Sequence, residues 1–556
     1  MIQCPNCGGT VKFDIPSQKM KCESCGSDFE PYAFQFGNGA EESTEYDVTV
    51  FKCPQCGGEI ISTDETAAGF CSYCGSSNVL LSRISKERRP ELIIPFKKSK
   101  KECKEIFLKR MKKAFFAPKG YVNESSINSF RGIYMPYWLY DMSQQGNIQV
   151  RTSTSHRSGD YIITDHYVCS GYLDNVYNGL SYDGSSSFAD DISESIAPFD
   201  VKDITTFTPS FLAGYYADVA DVPATTYRGK AMEFAQDSTY NYLAHKSPMS
   251  RETFEDTKET ITRGMNTRLN VQRSAMFPVW FMSYRNKNRI AYATVNGQTG
   301  KIAADVPVSV PKYFACTAII AAIIAILLQV FLTVTPKVLL VIIAVLSVIS
   351  VCLYLGEMKK ILSIENHEDD MGLQAKKQMK QQSMQNQANA SGTVSNAGLN
   401  GNPNIKFQPQ AQKQKKKKRS LGDFLVIVII IMFFLPLVTG GAALVGEIIG
   451  GSGVRCAILV LALIISIACT VSSGKQIKQM IYKNGAPASL WSAIAIGIML
   501  VVTFLNPVSD MYYYAAALVA MIGVILNLVD LILCYNLIAM RPLPQFTLYK
   551  GGDDRA

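Results

Sequence analysis

Two sets of four cysteines near the start of the chain have the residue type and spacing of a metal site. Each set follows the pattern C-x2-C-x14-C-x2-C, and every cysteine of the second set lies 49 residues after its counterpart. The two sets are Cys4, Cys7, Cys22 and Cys25, and then Cys53, Cys56, Cys71 and Cys74. Two thiolates separated by two residues can hold one tetrahedral ion from a single tight turn, and a second pair completes four ligands. The spacing therefore predicts two zinc ribbons with one structural zinc ion each.

The residues around the cysteines suit the same interpretation. A glycine follows the second cysteine of every pair, as a turn at positive φ requires: Gly8, Gly26, Gly57 and Gly75. The 14 residues between the pairs suit a β-hairpin, with residues 11–13 and 20–21 as strands in the first copy. A disulfide framework is the alternative. Paired C-x-x-C motifs behind an opening that lacks the features of a signal peptide favour reduced thiolates and metal.

Composition divides the chain into a first part without long apolar runs and a second part that contains them, and the motifs that the chain lacks disfavour an enzyme. The 556 residues carry a formal net charge of +9, and the long apolar runs all lie after residue 311. Many lysines and arginines flank those runs, where retention on the cytoplasmic side of a membrane accounts for them. The sequence has no Walker loop, no H-E-x-x-H, no G-x-S-x-G and no dinucleotide-binding fingerprint. We therefore expect a binding protein rather than an enzyme.

Residues 91–310 are predicted to form a cytosolic α+β domain. Ser99 and Glu102 form a capping box at the start of an amphipathic helix that is rich in lysine. This basic face could touch anionic lipid, or it could be a solvated face over the domain core. Residues 135–139 and 277–281 share a pattern of apolar residue, proline, apolar residue, tryptophan and apolar residue, which favours strands. Asn296-Gly297 predicts a hairpin turn.

Six apolar runs after residue 311 are predicted to cross a membrane as helices. They cover residues 313–332, 338–355, 424–445, 456–471, 488–505 and 512–535. If the ribbons are cytosolic, the loops after the second and fourth runs and the C-terminal tail lie on the same side. Those segments carry most of the lysines and arginines near the runs, as the positive-inside rule requires. The sequence thus predicts an all-α polytopic membrane region with both termini in the cytoplasm.

Two further sets of residues in the membrane half could have a function. The Gln/Asn/Lys-rich segment 363–420 is predicted to be disordered. It ends in a basic cluster that could bind anionic headgroups or serve only as a topology signal: Lys413, Lys415, Lys416, Lys417, Lys418 and Arg419. Asn527 and Asp530 share one face of the sixth run. Polar residues within a span suggest a functional site, with interhelical hydrogen bonding or solvation as the alternative.

The predicted organisation is therefore multidomain. Its parts are zinc ribbon 1 (residues 1–36), zinc ribbon 2 (50–82), the cytosolic α+β domain (91–310), a transmembrane hairpin (312–356), the disordered linker (363–420), a four-helix transmembrane region (421–538) and a cytosolic tail (539–556).

Several stretches resemble a group of bacterial membrane proteins with a TFIIB-type zinc ribbon at the N-terminus, sometimes named after the primosomal helicase. In order over the first 310 residues they are CPNCGG, CPQCGG, ELIIPFKKSKKECKEIFLKRM, GIYMPYWLYD, FPVWFMSYR and VNGQTGKI. Members of the group often have one ribbon, so the second copy is a departure. Some are encoded beside phage-shock-type and SPFH (flotillin-like) proteins. The resemblance implies a scaffold for such partners in envelope stress, at a bacterial cell membrane.

The sequence supports three functional hypotheses. The leading one is a membrane adaptor whose ribbons and α+β domain recruit protein partners in the cytosol while the helices anchor in lipid and assemble. The second is a transporter or lipid-handling protein regulated by the cytosolic domain. The third is a membrane-tethered nucleic-acid binder, which the charge distribution disfavours. A ribbon could also be a structural cap without a partner.

Overall fold

The structure is a computed structural model, and the residues that it describes fall into three parts. These are a small N-terminal sheet, a large sheet with helices, and a group of long apolar helices. The described residues are 2–34, 45–62, 71–76, 81–118, 121, 129–286, 289–319, 335–366, 368, 370–379, 381, 452–480 and 485–544.

The small sheet contains the first cysteine set. It consists of the antiparallel strands β1 (Val11–Asp14), β2 (Lys19–Cys22) and β3 (Asp28–Phe29), which include the hairpin that the spacing predicts. Burial alternates along β1, so Val11 and Phe13 face inward. The Phe13 ring packs edge-on against Phe211 at 5.2 Å, and the Phe13 amide donates to the Ala213 carbonyl at 3.1 Å. One face of the small sheet therefore rests on the large domain.

The large sheet has 13 strands among the described residues. They are β4 (Glu45–Lys52), β5 (Glu59–Ser62), β6 (Leu81–Arg88), β7 (Leu92–Ile93), β8 (Arg131–Ser158), β9 (Tyr161–Asp183), β10 (Thr205–Thr206), β11 (Tyr216–Asp218), β12 (Thr253–Phe254), β13 (Thr267–Asn286), β14 (Arg289–Asn296), β15 (Ile302–Ala304) and β16 (Arg541–Pro542). Its helices are α1 (Lys100–Lys112), α2 (Asp190–Ile196), α3 (Arg228–His245) and α4 (Lys258–Gly264). The main path runs β10-β7-β13-β8-β11-β5-β4-β6.

Strands β8 and β13 form the centre of this sheet. They pair antiparallel with Met135 opposite Phe277, so the two proline-tryptophan segments lie side by side. Residues 132–140 and 275–283 are buried without interruption, as expected for strands that are covered on both faces. The indole N–H of Trp138 donates to the Val222 carbonyl at 2.8 Å, and that of Trp280 donates to the Lys98 carbonyl at 2.7 Å. Both tryptophans are thus core residues with satisfied polar atoms.

The second cysteine set belongs to the large sheet and not to a separate ribbon. Strand β4 pairs with both β5 and β6, β5 pairs antiparallel with β11, and β11 pairs parallel with β8. Residues 50–82, which we expected to form an independent domain, are thereby continuous with the domain expected at 91–310. The reason is that the outer edges of a knuckle hairpin have free backbone groups, and here neighbouring strands pair with them.

The apolar helices are α5 (Pro336–Glu365), α6 (Ser452–Gln479), α7 (Ser489–Leu505) and α8 (Met511–Ala539). Three of them, α5, α6 and α8, are long and apolar enough to cross a membrane, whereas α7 has 17 residues. The described residues therefore give three candidate spans instead of the six that we predicted. Run 424–445 and most of run 313–332 lie outside those residues. The chain is a membrane protein by this criterion.

The C-terminal end of α8 is bonded to the large sheet. Strand β16 follows α8 directly and pairs with β14. The Asn536 side chain accepts from the Val308 amide at 2.7 Å and donates to the Val308 carbonyl at 2.9 Å. Arg289 donates to the Leu537 carbonyl at 3.2 Å, which satisfies an acceptor at the helix end. Residues 541–542 of the expected tail 539–556 are therefore part of the sheet.

Part of the predicted linker is also ordered. Residues 371–379 are helical, and Asp370 caps this helix because its carboxylate accepts from the Leu373 amide at 2.8 Å. Lys376 Nζ lies 2.6 Å from an Asp221 carboxylate oxygen of the sheet domain, and both side chains are largely buried. Our prediction of disorder for 363–420 is wrong here, because composition does not register these specific contacts. Residues 382–420 lie outside the described residues.

Candidate metal centres

Each cysteine set brings its four sulfur atoms together. Within each set the four Sγ atoms lie within 4.8 Å of one another. Among these, Cys4 and Cys25 are 3.6 Å apart, Cys7 and Cys22 are 3.5 Å apart, and the pairs Cys53–Cys74 and Cys56–Cys71 are both 3.7 Å apart. Metal–sulfur bonds of ~2.3 Å in a tetrahedron give sulfur–sulfur edges of about 3.8 Å. The two groups therefore have the dimensions needed to hold one structural metal ion each.

The four knuckles have one backbone geometry. In each, the glycine after the second cysteine has a φ between +66° and +73°. Its amide donates to the carbonyl of the first cysteine at 2.8–3.0 Å, as in the bonds Gly8 to Cys4 and Gly75 to Cys71. A residue with a Cβ is disfavoured at such a φ, which explains the glycine at this position. This turn directs both sulfurs of a pair to the same side.

The first centre is open to solvent on one side. Cys4 and Cys22 are buried, whereas Cys7 and Cys25 are exposed. Hydrogen bonds from the side chain and backbone of Ser27 lower the pKa of the Cys25 thiol to about 6. A thiol with a lowered pKa is more readily the thiolate that binds a metal. The residues between the second pair of cysteines, Glu23 and Ser24, are exposed as well.

The second centre is enclosed by the large sheet. Cys53, Cys56, Cys71 and Cys74 are all buried. Tyr73, between the second pair, is fully buried, and its ring packs against Phe281 of β13 at 6.0 Å. The Tyr292 hydroxyl of β14 donates to the Tyr73 carbonyl at 2.9 Å. The sequence analysis missed Tyr73 and Tyr292, although an aromatic residue in a knuckle of otherwise small residues is a detectable signal.

A polar cavity of about 260 Å³ lies between α1, α2 and the strands β14 and β15. Arg110, Asp191 and Asp305 are among its lining residues. Arg541 forms ion pairs with both Asp191 and Asp305. Burial raises the pKa of Asp305 to about 6, and the Arg541 guanidinium opposes that rise. Arg541, two residues after the end of α8, is thus joined by charge to the wall of this cavity.

The other predicted site residues lie in the second half of the chain, away from the cysteine sets. The basic cluster Lys413, Lys415, Lys416, Lys417, Lys418 and Arg419 lies outside the described residues. The Asn527 amide of α8 donates to the Ser350 hydroxyl of α5 at 2.9 Å in a buried position. Asp530 of the same helix interacts with the Tyr354 hydroxyl of α5. The two polar residues of α8 therefore contact one neighbouring helix.

Comparison with known proteins gives one similarity at the level of sequence. The chain is 28% identical over 311 residues to the uncharacterized protein YdjG of Bacillus subtilis (strain 168), which is 55% of this chain and 90% of that protein. No protein-family model matches the chain, and no solved structure matches it. The similarity relates much of the chain to a bacterial protein but brings no activity with it.

Proposed function

We propose that this protein is a polytopic membrane adaptor that presents its first cysteine knuckles to protein partners in the cytosol. The observation that carries the proposal is the exposed first centre on a sheet domain that is hydrogen-bonded to a membrane helix. Four cysteine ligands leave no open position on a bound ion, so a closed site of this kind shapes a surface instead of activating water. We assign zinc to both centres because soft thiolates in a tetrahedron select it.

The directions of the helices support a cytosolic sheet domain and six crossings. The ends of α5, α6 and α8 meet in one cluster that includes Met358, Ile477 and Cys534, and α8 continues from there into the sheet. At the opposite end, Lys337 Nζ donates to Asn506 Oδ1 at 3.0 Å, so the start of α5 meets the end of α7. Helices α5, α6 and α8 thus run toward the sheet domain, and α7 runs away from it.

We propose two additional crossings away from the sheet domain. One would lie between the domain and α5 and the other between α5 and α6, because consecutive crossings alternate in direction. The apolar runs 313–332 and 424–445 have the positions that these crossings need. Six crossings with both termini on the lysine-rich side agree with the positive-inside rule. We therefore propose a bacterial cell membrane location with both termini in the cytoplasm.

The class of partner follows from the resemblance to zinc-ribbon membrane proteins. It favours phage-shock-type or SPFH proteins and a role in envelope stress or membrane organisation. The transporter hypothesis depended on Asn527 and Asp530, and both residues have interhelical partners. The nucleic-acid hypothesis gains no support from the described residues. Of the three hypotheses, we therefore propose the adaptor function.

The test compares partners captured by full-length protein from cross-linked, detergent-solubilised membranes. Asn6 lies at the exposed tip of the first knuckle, and Asn147 is an exposed asparagine of β8. Asn6→Arg should remove the specific partners, whereas the matched control Asn147→Arg should retain them. Elemental analysis should give two zinc ions per chain in both variants. Partners that persist in Asn6→Arg and also in Cys4→Ser would contradict the proposal.

A further inference from the structure

The C-terminal end of α1 and the turn that follows it, residues 108–115, expose apolar and positively charged side chains together; this segment is called the end of α1 below. Leu108 and Phe115 are 37% and 67% exposed. Lys109, Lys112 and Lys113 are exposed beside them, and no described residue forms an ion pair with these three lysines. The buried side of the helix is formed by Cys103, Phe107 and Met111. An exposed phenylalanine and an exposed leucine among three lysines form the mixed apolar and basic surface that interfacial segments present to membranes.

This end of α1 is fixed at the point where the chain turns toward its first apolar run. The Phe116 ring packs against Tyr313 at 5.3 Å. The Ser309 amide donates to the Phe116 carbonyl at 2.8 Å, and Lys312 Nζ donates to the Ala117 carbonyl at 2.8 Å. Tyr313 is the first residue of the apolar run 313–332. Residues 116 and 117 are thus bonded to the start of this run, and the exposed residues lie only a few positions before them in the chain.

The same end of α1 also lies near the last membrane helix. Arg110 lines the polar cavity together with Asp305. Asp305 lies 3.5 Å from the Arg541 Nε, two residues after the end of α8. The end of α1 is therefore close both to the beginning of the membrane part of the chain and to its final helix end. Continuity with these segments brings it to the boundary between the sheet domain and the apolar part of the chain.

We propose that the end of α1 docks on the anionic surface of the membrane that the chain itself spans. Lys109, Lys112 and Lys113 contact headgroup phosphates, because basic segments next to a membrane are attracted to anionic lipids. Phe115 and Leu108 enter the boundary between headgroups and acyl chains, as apolar side chains on basic interfacial helices do. The contact would fix the orientation of the sheet domain on the membrane. It goes beyond the adaptor function and stands or falls separately from it.

The experiment places a photoreactive benzoylphenylalanine at Phe115 of the full-length protein and detects lipid adducts by mass spectrometry. The protein is reconstituted in vesicles of phosphatidylcholine, with or without phosphatidylglycerol. The matched control carries the same group at Tyr161, which is 77% exposed at the turn between β8 and β9. We expect lipid adducts at position 115 several times more abundant than at position 161, and more abundant in the anionic vesicles.

Charge removal tests the lysines directly. The triple variant Lys109→Gln, Lys112→Gln and Lys113→Gln should lower the adduct yield several-fold in anionic vesicles. The control triple Lys246→Gln, Arg251→Gln and Arg263→Gln, at exposed positions near α3 and α4, should leave it unchanged. Adducts at 115 that do not exceed those at 161 would overturn the proposal. So would yields that are equal in neutral and anionic vesicles, or cross-links to a second protein chain in place of lipid.

Discussion

The two cysteine sets share one spacing and one knuckle geometry but have different surroundings. In the first set, two of the four cysteines are exposed, and the small sheet rests on the domain along one face. In the second set all four are buried, and the strands around them pair into the 13-stranded sheet. The spacing determines the local turn and the sulfur tetrahedron. The strands and side chains around the knuckles determine whether a centre presents a surface or supports a core.

One pair of equivalent positions illustrates the difference. Ser24 and Tyr73 occupy the same place in their knuckles, 49 residues apart. Ser24 is exposed, whereas Tyr73 is fully buried against β13 and β14. A large aromatic side chain at this position supplies the apolar area by which the second knuckle packs on the sheet. The second centre is thus part of the domain core, whereas the first keeps one side open to solvent.

The largest expected effect is the loss of a metal ligand from the second centre. A structural zinc site contributes on the order of 10–16 kcal/mol of apparent binding free energy to folding. Because Cys53 is buried directly after β4 of the large sheet, Cys53→Ser should unfold that domain or remove the protein from the membrane fraction. The equivalent substitution Cys4→Ser should unfold only residues 2–34. Limited proteolysis of detergent-solubilised protein distinguishes the two patterns of protected fragments.

Metal content provides the control for this comparison. Each variant that survives purification should lose one of two zinc ions per chain. If Cys4→Ser made the large sheet as sensitive to protease as Cys53→Ser, the two centres would be energetically equivalent. The distinction that we draw from burial would then be wrong.

The next largest effect should come from the aromatic side chain in the second knuckle. Tyr73→Ala removes a fully buried ring, and such truncations cost about 3–5 kcal/mol. Ser24→Ala changes an exposed side chain, so its cost should stay within about 0.5 kcal/mol. Thermal unfolding of the sheet domain in detergent measures both. Equal melting temperatures for the two variants would contradict the structural role of Tyr73.

Local features of this fold could be predicted from the sequence because they depend on neighbouring residues. The knuckle turns, the first hairpin and the capping box at Ser99 depend on contacts a few residues apart. The two tryptophan-containing strands were also recognisable from their residue types, although not their pairing. Each of these features has a periodicity or a turn residue that identifies it.

The features that the sequence did not predict depend on distant residues. The pairing of β5 with β11 joins Ile61 to Ala217, and the pairing of β14 with β16 joins Ile290 to Arg541. No local pattern encodes a contact across such a separation. The helix at 371–379 was also missed, since its charged residues resemble a disordered linker until Lys376 meets Asp221. The same long-range pairing buries the second centre in the large sheet and so gives it different surroundings from the first.

The difference in burial should also appear in the rate of metal release. A chelator can reach the first centre through Cys7 and Cys25, but the second requires the sheet to open. Each additional ~1.4 kcal/mol of opening free energy slows release about tenfold. We expect two phases of equal amplitude when zinc release is followed with a chromogenic chelator. Cys7→Ser should abolish the fast phase only, and a single phase for both ions in the unmodified protein would refute the assignment.

The smallest expected effect tests what the two centres have in common. Gly26 and Gly75 have φ values of +73° and +66°, and an added Cβ would meet nothing within 4 Å at Gly26 and only ordinary contacts of 3.5 Å at Gly75. Alanine at either position should therefore cost only the strain of the left-handed backbone, about 1–2 kcal/mol. That is a loss of roughly fivefold to thirtyfold in metal affinity, measured by competition with a chelator of known affinity. Equal losses of metal affinity for Gly26→Ala and Gly75→Ala would show that the knuckle geometry depends on the residues of the knuckle alone and not on the sheet around it. A much larger loss at Gly75 would mean that the large sheet also shapes its own knuckle, and the two centres would then differ in geometry as well as in surroundings.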